Sequence, residues 1–154
     1  QQEWAGQEQA IRRLERQIKS QSRADEAAQR LMRIKGVGER IATAAVAYAG
    51  NGQGYRNGRH FSANLGLVPK EHSSGGQQQL GGMSKRGNRY LRRLLIQGAW
   101  TVVRYAERSQ DRLSRWATKL IERRGKHKAV VAVANKMARI IWSMLYHRTE
   151  YRPT

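Results

Sequence analysis

Two adjacent serines, Ser73 and Ser74, stand in a stretch built mainly of glycine and polar residues, with residues 68–83 reading VPKEHSSGGQQQLGGM. The run has no apolar periodicity and cannot pack as a core element, so it predicts a surface loop or a short extended excursion. It leads straight into Ser84-Lys85-Arg86-Gly87-Asn88-Arg89-Tyr90-Leu91-Arg92-Arg93, where five of the nine residues from Lys85 to Arg93 are basic. A phosphodiester suits that pairing. Arginine forks hold non-bridging phosphate oxygens and offset charge as it develops. A serine hydroxyl beside them could attack phosphorus, but it needs a base or a metal to take its proton. His72 is near in sequence, which does not establish geometry. The competing reading is a Ser/Gly linker beside a solvated basic helix.

The sharpest local motif lies earlier, at Ile34-Lys35-Gly36-Val37-Gly38-Glu39-Arg40-Ile41, followed by an alanine-rich run from Ala42 to Ala49. Two glycines framing one valine predict a tight turn between helices, where a side chain would obstruct backbone geometry or a close approach. The free amides of such a turn, next to a helix N-terminus, suit a backbone phosphate. Lys35 and Arg40 would add charge beside Gly36, Val37 and Gly38. This segment resembles a helix-hairpin-helix, the DNA-binding hairpin with an I-x-G-V/I-G core, placed at about 31–49. The alternative is an ordinary helical corner with glycine for packing. No strand precedes the motif and no third glycine follows in register, so it is not a dinucleotide fingerprint. A further basic group, Arg123, Arg124, Lys126 and Lys128, falls around Gly125. It is a candidate phosphate contact, with a solvated charge run as the equal alternative.

The elements that must position these residues read as helices. Residues 4–32 predict one long helix, with Trp4, Gln7, Ile11, Leu14 and Ile18 at heptad a/d spacing before Gln21 and Asp25 interrupt the seam. It is a coiled-coil segment or helical arm at 1–32, or a surface helix of its own domain. A coiled coil would leave an apolar stripe for a second copy or a missing segment. His60 to Leu67 predicts a short helix with Phe61 and Leu65 inward. Ser84 is the expected N-cap of a helix whose buried side carries Leu91, Leu94, Leu95, Gly98, Ala99, Val102 and Val103. Arg86, Arg89 and Arg93 share another side. A helix from Ser109 or Asp111 to Arg124, ended by Gly125, and a last one from about Lys128 to Tyr146 complete the chain. Trp100, Trp116 and Trp142 read as core anchors. No β pattern is convincing, and the expected class is all-α.

The charge is uneven. Of 154 residues, 30 are basic and 11 acidic, for a net +19. Residues 1–32 are nearly neutral, and 18 of the 30 basic residues follow position 70. That excess points to a polyanionic partner, nucleic acid before an anionic membrane surface. The absence of cysteine excludes disulfides, thiol nucleophiles and thiolate metal sites. The four histidines are scattered, and the acids run from Glu3 to Glu150 with no convincing cluster, so no metal site is expected within this chain. No apolar run approaches membrane-spanning length, and no signal sequence opens the chain. Cytoplasm is the expected compartment. The missing initiator Met suggests a fragment or a processed chain.

Four separated blocks now combine. Ile34-Lys35-Gly36-Val37-Gly38, then Ser62-Ala63-Asn64-Leu65-Gly66-Leu67-Val68-Pro69, then Ser73-Ser74-Gly75-Gly76, then Gly82-Met83-Ser84-Lys85-Arg86-Gly87-Asn88-Arg89-Tyr90-Leu91-Arg92 occur in order. Over roughly residues 30–147 the chain resembles the C-terminal domain of the IS110/IS116/IS902 transposases, which are related to Piv-type DNA invertases. Met83 stands where isoleucine is more frequent in that pattern. The resemblance implies a mobile-element recombinase that cuts and rejoins DNA. It also implies a RuvC-like domain whose carboxylates bind Mg²⁺, absent from this chain, and a structured guide RNA that supplies sequence choice. It implies residues 33–154 as the helical C-terminal domain, with a serine loop at about 68–84. The family's attacking serine maps to Ser74, with Ser73 as the neighbour one register away. On this reading the chain binds DNA and guide RNA, forms a homodimer or higher oligomer, and does not cut DNA alone. The alternative is a non-catalytic helical nucleic-acid-binding and dimerisation module.

Overall fold

In a computed structural model, residues 2–74, 77–83 and 88–153 are described. The helices are α1 (Gln2–Ala24), α2 (Glu26–Leu31), α3 (Glu39–Ala49), α4 (Gly58–Asn64), α5 (Arg89–Tyr105), α6 (Arg112–Arg124) and α7 (Lys126–His147). A 3-10 turn, Ala106–Arg108, joins α5 to the segment before α6. The helical class expected from the sequence holds for the body of the domain. The exception is a hairpin of two antiparallel strands, β1 (Pro69–Ser74) and β2 (Gln77–Met83). The extended excursion expected there is therefore a paired one. Its register sets Ser74 opposite Gln77 and Ser73 opposite Gln78, with an irregularity between Pro69 and Glu71.

The core is organised around α7. Its buried face carries Ala129, Val133, Ala134, Met137, Ala138 and Ile141, and the alanines let neighbours approach closely. α5 lies along it with Leu91, Leu95, Ala99 and Val102, α4 adds Phe61, and α6 adds Leu113 and Ala117. Leu65 and Leu67, just after α4, are also buried. Fully burying one such aliphatic side chain stabilises by about 1.5–3 kcal/mol. Trp142 is buried, and its indole Nε1–H donates to the Gly52 carbonyl at 2.9 Å, anchoring the glycine-rich loop after α3. Trp100 and Trp116 are half-buried against the core, as expected of anchors.

Two expectations are corrected. The single helix over 4–32 breaks at Asp25, which is extended (φ −100°, ψ 115°) and accepts from the amides of Ala27 at 2.8 Å and Ala28 at 3.2 Å. An aspartate offers those amides a local acceptor in place of the helical carbonyls, which is why it starts α2 rather than continuing α1. The cap of α5 is Asn88, not Ser84: its side-chain oxygen accepts from Leu91 N at 2.9 Å. Asn88 stands immediately before the first helical residue, the position where an Asx side chain can reach the first-turn amides. Ser84 lies outside the described residues.

Candidate nucleic-acid interface

The turn between α2 and α3 is tight. Ile34 N, donating to Leu31 O at 3.0 Å, and Val37 N, donating to Ile34 O at 3.0 Å, coil the chain through it. Ile34 and Val37 are buried and seat the turn. The two glycines serve different ends. Gly36 has φ +83° and faces α5, where an added Cβ would lie 2.6 Å from the Gly98 carbonyl oxygen. Packing and conformation both require glycine there. Gly38 has φ −97°, and an added Cβ would meet nothing within 4 Å. Neither backbone nor packing requires a glycine at 38. It begins α3 without a side-chain cap, so the first-turn amides of that helix are not covered from within. A hollow beside the turn is lined by residues 32–38 together with Thr101, Asp111, Tyr151 and Pro153.

The two cations flanking the turn are already engaged. Lys35 Nζ bonds Ser109 Oγ and lies 3.3 Å from Asp111 Oδ1, with side-chain exposures of 39% for Lys35 and 16% for Asp111. Burial pushes the Asp111 carboxyl up, but hydrogen bonds from Ser114 Oγ and N and from Lys35 outweigh it and hold it below its ordinary value. Asp111 also caps α6, accepting from Ser114 N at 3.1 Å. Arg40 pairs with Glu15 of α1, both half-exposed, an arrangement that contributes little in water.

The other sequence-predicted positions divide. Arg89 and Arg93 are exposed on the first turns of α5. Arg92 turns inward, and its guanidinium donates to Leu65 O at 3.4 Å. Arg123, Arg124, Lys126 and Lys128 are all exposed around Gly125, at the junction of α6 and α7. Lys85 and Arg86 lie outside the described residues. Ser73 and Ser74 are placed by backbone alone, in the last two pairs of the hairpin at its turn end. Among the described residues no group of three or more His, Asp or Glu is arranged to hold a metal ion. No described helix is long and apolar enough to cross a membrane.

Sequence reading passed over one set of cations. Arg112, Arg115 and Lys119 are exposed along α6, and Lys136 of α7 sits over the Trp116 ring at 4.5 Å from its centroid. Their spacing of three and four residues, leading to Arg123, was the available signal.

A family model described as Transposase IS116/IS110/IS902 family matches residues 28–114, more than half of the chain. The chain belongs to that family. It is 51% identical over 143 residues to a probable family 20 transposase of Pseudomonas aeruginosa, covering 93% of this chain and 42% of that protein. It is 43% identical over 145 residues to the transposase for insertion sequence element IS1111A of Coxiella burnetii, covering 94% and 40%. A third relative, the transposase for insertion sequence element IS1328 of Yersinia enterocolitica, is 40% identical over 132 residues, covering 86% and 40%. The IS110-type chain described here thus spans about two fifths of the length of these relatives. The matched residues 28–114 run from α2 into the start of α6 and include the 36–38 turn, the hairpin and all of α5.

Proposed function

We propose that the chain is the nucleic-acid-binding C-terminal part of an IS110-family transposase, a helical module that grips a DNA backbone and brings two copies together. The observation that carries this reading is Gly38, a glycine that neither packing nor backbone conformation requires, standing where a helix N-terminus is left uncapped. Read as a helix-hairpin-helix, residues 31–49 present the amides at Gly38 and beyond to a phosphate. Val37 and Gly36 seat the turn. Arg40 exchanges its exposed partner Glu15 for phosphate, while Lys35 stays with Asp111 and holds α6 beside the turn. Arg89 and Arg93, with Lys85 and Arg86 ahead of them, and the group Arg123, Arg124, Lys126 and Lys128 extend the contact. Asn88 contributes by fixing the start of α5. The exposed apolar side of α1 supports a coiled-coil arm that pairs with a second copy. Guide RNA is the second polyanion of the whole protein on this reading.

The test is a single substitution. Gly38→Asp supplies a good N-cap, so thermal stability should hold or rise, yet it sets a carboxylate against the phosphate. Affinity for duplex DNA should fall, and the salt dependence should flatten by about one phosphate contact. Unchanged affinity and slope would remove the turn from the interface.

A second reading is the serine recombinase that the family resemblance implies. The register sets Ser73 and Ser74 in the last two pairs of the hairpin, at its turn end, and in sequence β2 leads on to the basic start of α5. Ser74 would attack phosphorus with its hydroxyl oxygen, forming the P–O bond as the deoxyribose oxygen leaves with its electron pair. The serine proton needs an acceptor, a role that on this reading falls to the RuvC-like domain and Mg²⁺ that the family resemblance implies. RNA-guided cleavage and rejoining is a property of that larger assembly.

A further inference from the structure

We infer that the groove between α6, α7 and the C-terminal segment 149–153 is a second polyanion site, shaped for a nucleic-acid phosphodiester backbone. The groove has a volume of about 530 Å³ and a largely apolar floor that includes Leu113, Ile140 and Met144. Three cations, Arg112, Lys136 and Arg152, line it together with His147. Among the described residues no carboxylate pairs with Arg112 or Lys136. The one acid of the groove, Glu150, is held by Arg33 at 3.0 Å.

Like charges gathered around a single carboxylate that is already paired with Arg33 repel one another, and a fold does not need them there. Lys136 shows the cost. Burial lowers its affinity for its proton, and the positive charges of Arg139 and Arg112 lower it further. The ammonium is nevertheless kept in place over the Trp116 indole, 4.5 Å from the ring centroid. A cation fixed in advance over an aromatic ring, near an arginine and with no carboxylate partner among the described residues, is prepared for an external anion. Tyr151 lines both this groove and the hollow at the 36–38 turn, so a backbone held at the turn can run on into the groove. This inference rests on the nucleic-acid reading of the chain but not on the turn itself. The net charge of +19, largely of one sign beyond position 70, favours nucleic acid over an acidic protein as the occupant.

The experiment measures the affinity of the whole chain for a short DNA duplex, for an RNA duplex of the same sequence and for polyglutamate, across a salt series. The variants are Arg112→Gln/Lys136→Gln and, separately, Arg152→Gln on the exposed tail. For DNA the log–log salt slope should become shallower by about 0.9 for each cation removed, and affinity should drop accordingly. Arg152 is exposed, so Arg152→Gln keeps the test open if the double variant folds poorly. Loss confined to RNA, or to DNA, supports the site and names which backbone it holds. Unchanged slopes on both, with wild type binding normally, would overturn the site and leave the turn reading intact. A wild type that binds neither duplex would overturn both readings. A loss seen only with polyglutamate would also overturn the inference and assign the groove to an acidic protein.

Discussion

Gly36 and Gly98 meet backbone to backbone. A Cβ on Gly36 would lie 2.6 Å from the Gly98 carbonyl oxygen and 2.9 Å from Val102 Cγ2, and a Cβ on Gly98 would crowd the Gly36 carbonyl oxygen and Ile41 Cδ1. The contact docks the 36–38 turn on α5, so the candidate phosphate site and the helix bearing Arg89 and Arg93 move as one unit. Gly98→Ala should therefore destabilise by about 1–3 kcal/mol through overpacking, offset in part by alanine's better helix propensity of about 1 kcal/mol. Gly36→Ala adds the cost of a left-handed φ, about 1–2 kcal/mol. Thermal denaturation checks both, and equal melting temperatures for Gly98→Ala and wild type would mean that the two backbones separate freely.

Asp111 joins the start of α6 to the turn through Lys35, and its loss should be felt at both. Asp111→Ala removes an N-cap, costing about 0.5–2 kcal/mol, and leaves Lys35 with Ser109 but without its carboxylate partner. The pH dependence has a definite sign. The carboxyl in the fold sits below its ordinary value of 3.8, so its contribution is complete above that pH and is lost as pH falls through the lowered value. Urea midpoints of wild type and Asp111→Ala should differ most near neutrality and converge in acid. A constant difference across that range would show that the charge of Asp111 is not what stabilises.

Some of these relationships were legible in the sequence and others were not. The start of α6 at Asp111 and the inward sides of α5 and α7 follow from capping chemistry and helical periodicity, which act over one or two turns. The break at Asp25 depends on the same chemistry, but an aspartate inside a heptad pattern also reads as a polar seam position. Lys35 and Asp111 are 76 residues apart, and nothing local says that the lysine beside the turn is already paired. The reason for Gly36 is a glycine on another helix, while the reason for Gly38 is not packing at all. The strands β1 and β2 escaped notice because pattern reading finds strands by a buried face, and residues 69–83 carry no apolar alternation.

Along α1 an apolar stripe is left to solvent: Trp4 is 78% exposed, Ile11 54% and Leu14 57%. The helix is held to the domain by its packing on α2 and α3. On the arm reading these side chains meet their counterparts in a second copy. Ile11→Asp/Leu14→Asp should convert a dimer to a monomer in sedimentation equilibrium while the melting of the domain is little changed. A wild-type chain that stays monomeric at high concentration would end that reading.

The serine reading has its own decisive variant. Ser74 and Ser73 occupy the last two pairs of the hairpin, at its turn end. In the whole transposase with its element DNA, guide RNA and Mg²⁺, Ser74→Ala should abolish strand cleavage and leave nucleic-acid binding nearly unchanged. A denaturing gel of the reaction gives the direct readout, a protein–DNA covalent adduct present in wild type and absent from Ser74→Ala. An adduct that survives and is lost only with Ser73→Ala shifts the nucleophile by one register. Cleavage without any adduct assigns the chemistry to the partner domain and leaves this chain as the binding module. Binding that falls as much as cleavage would make Ser74 a contact residue, because a nucleophile's loss affects the chemical step and not the grip on the backbone.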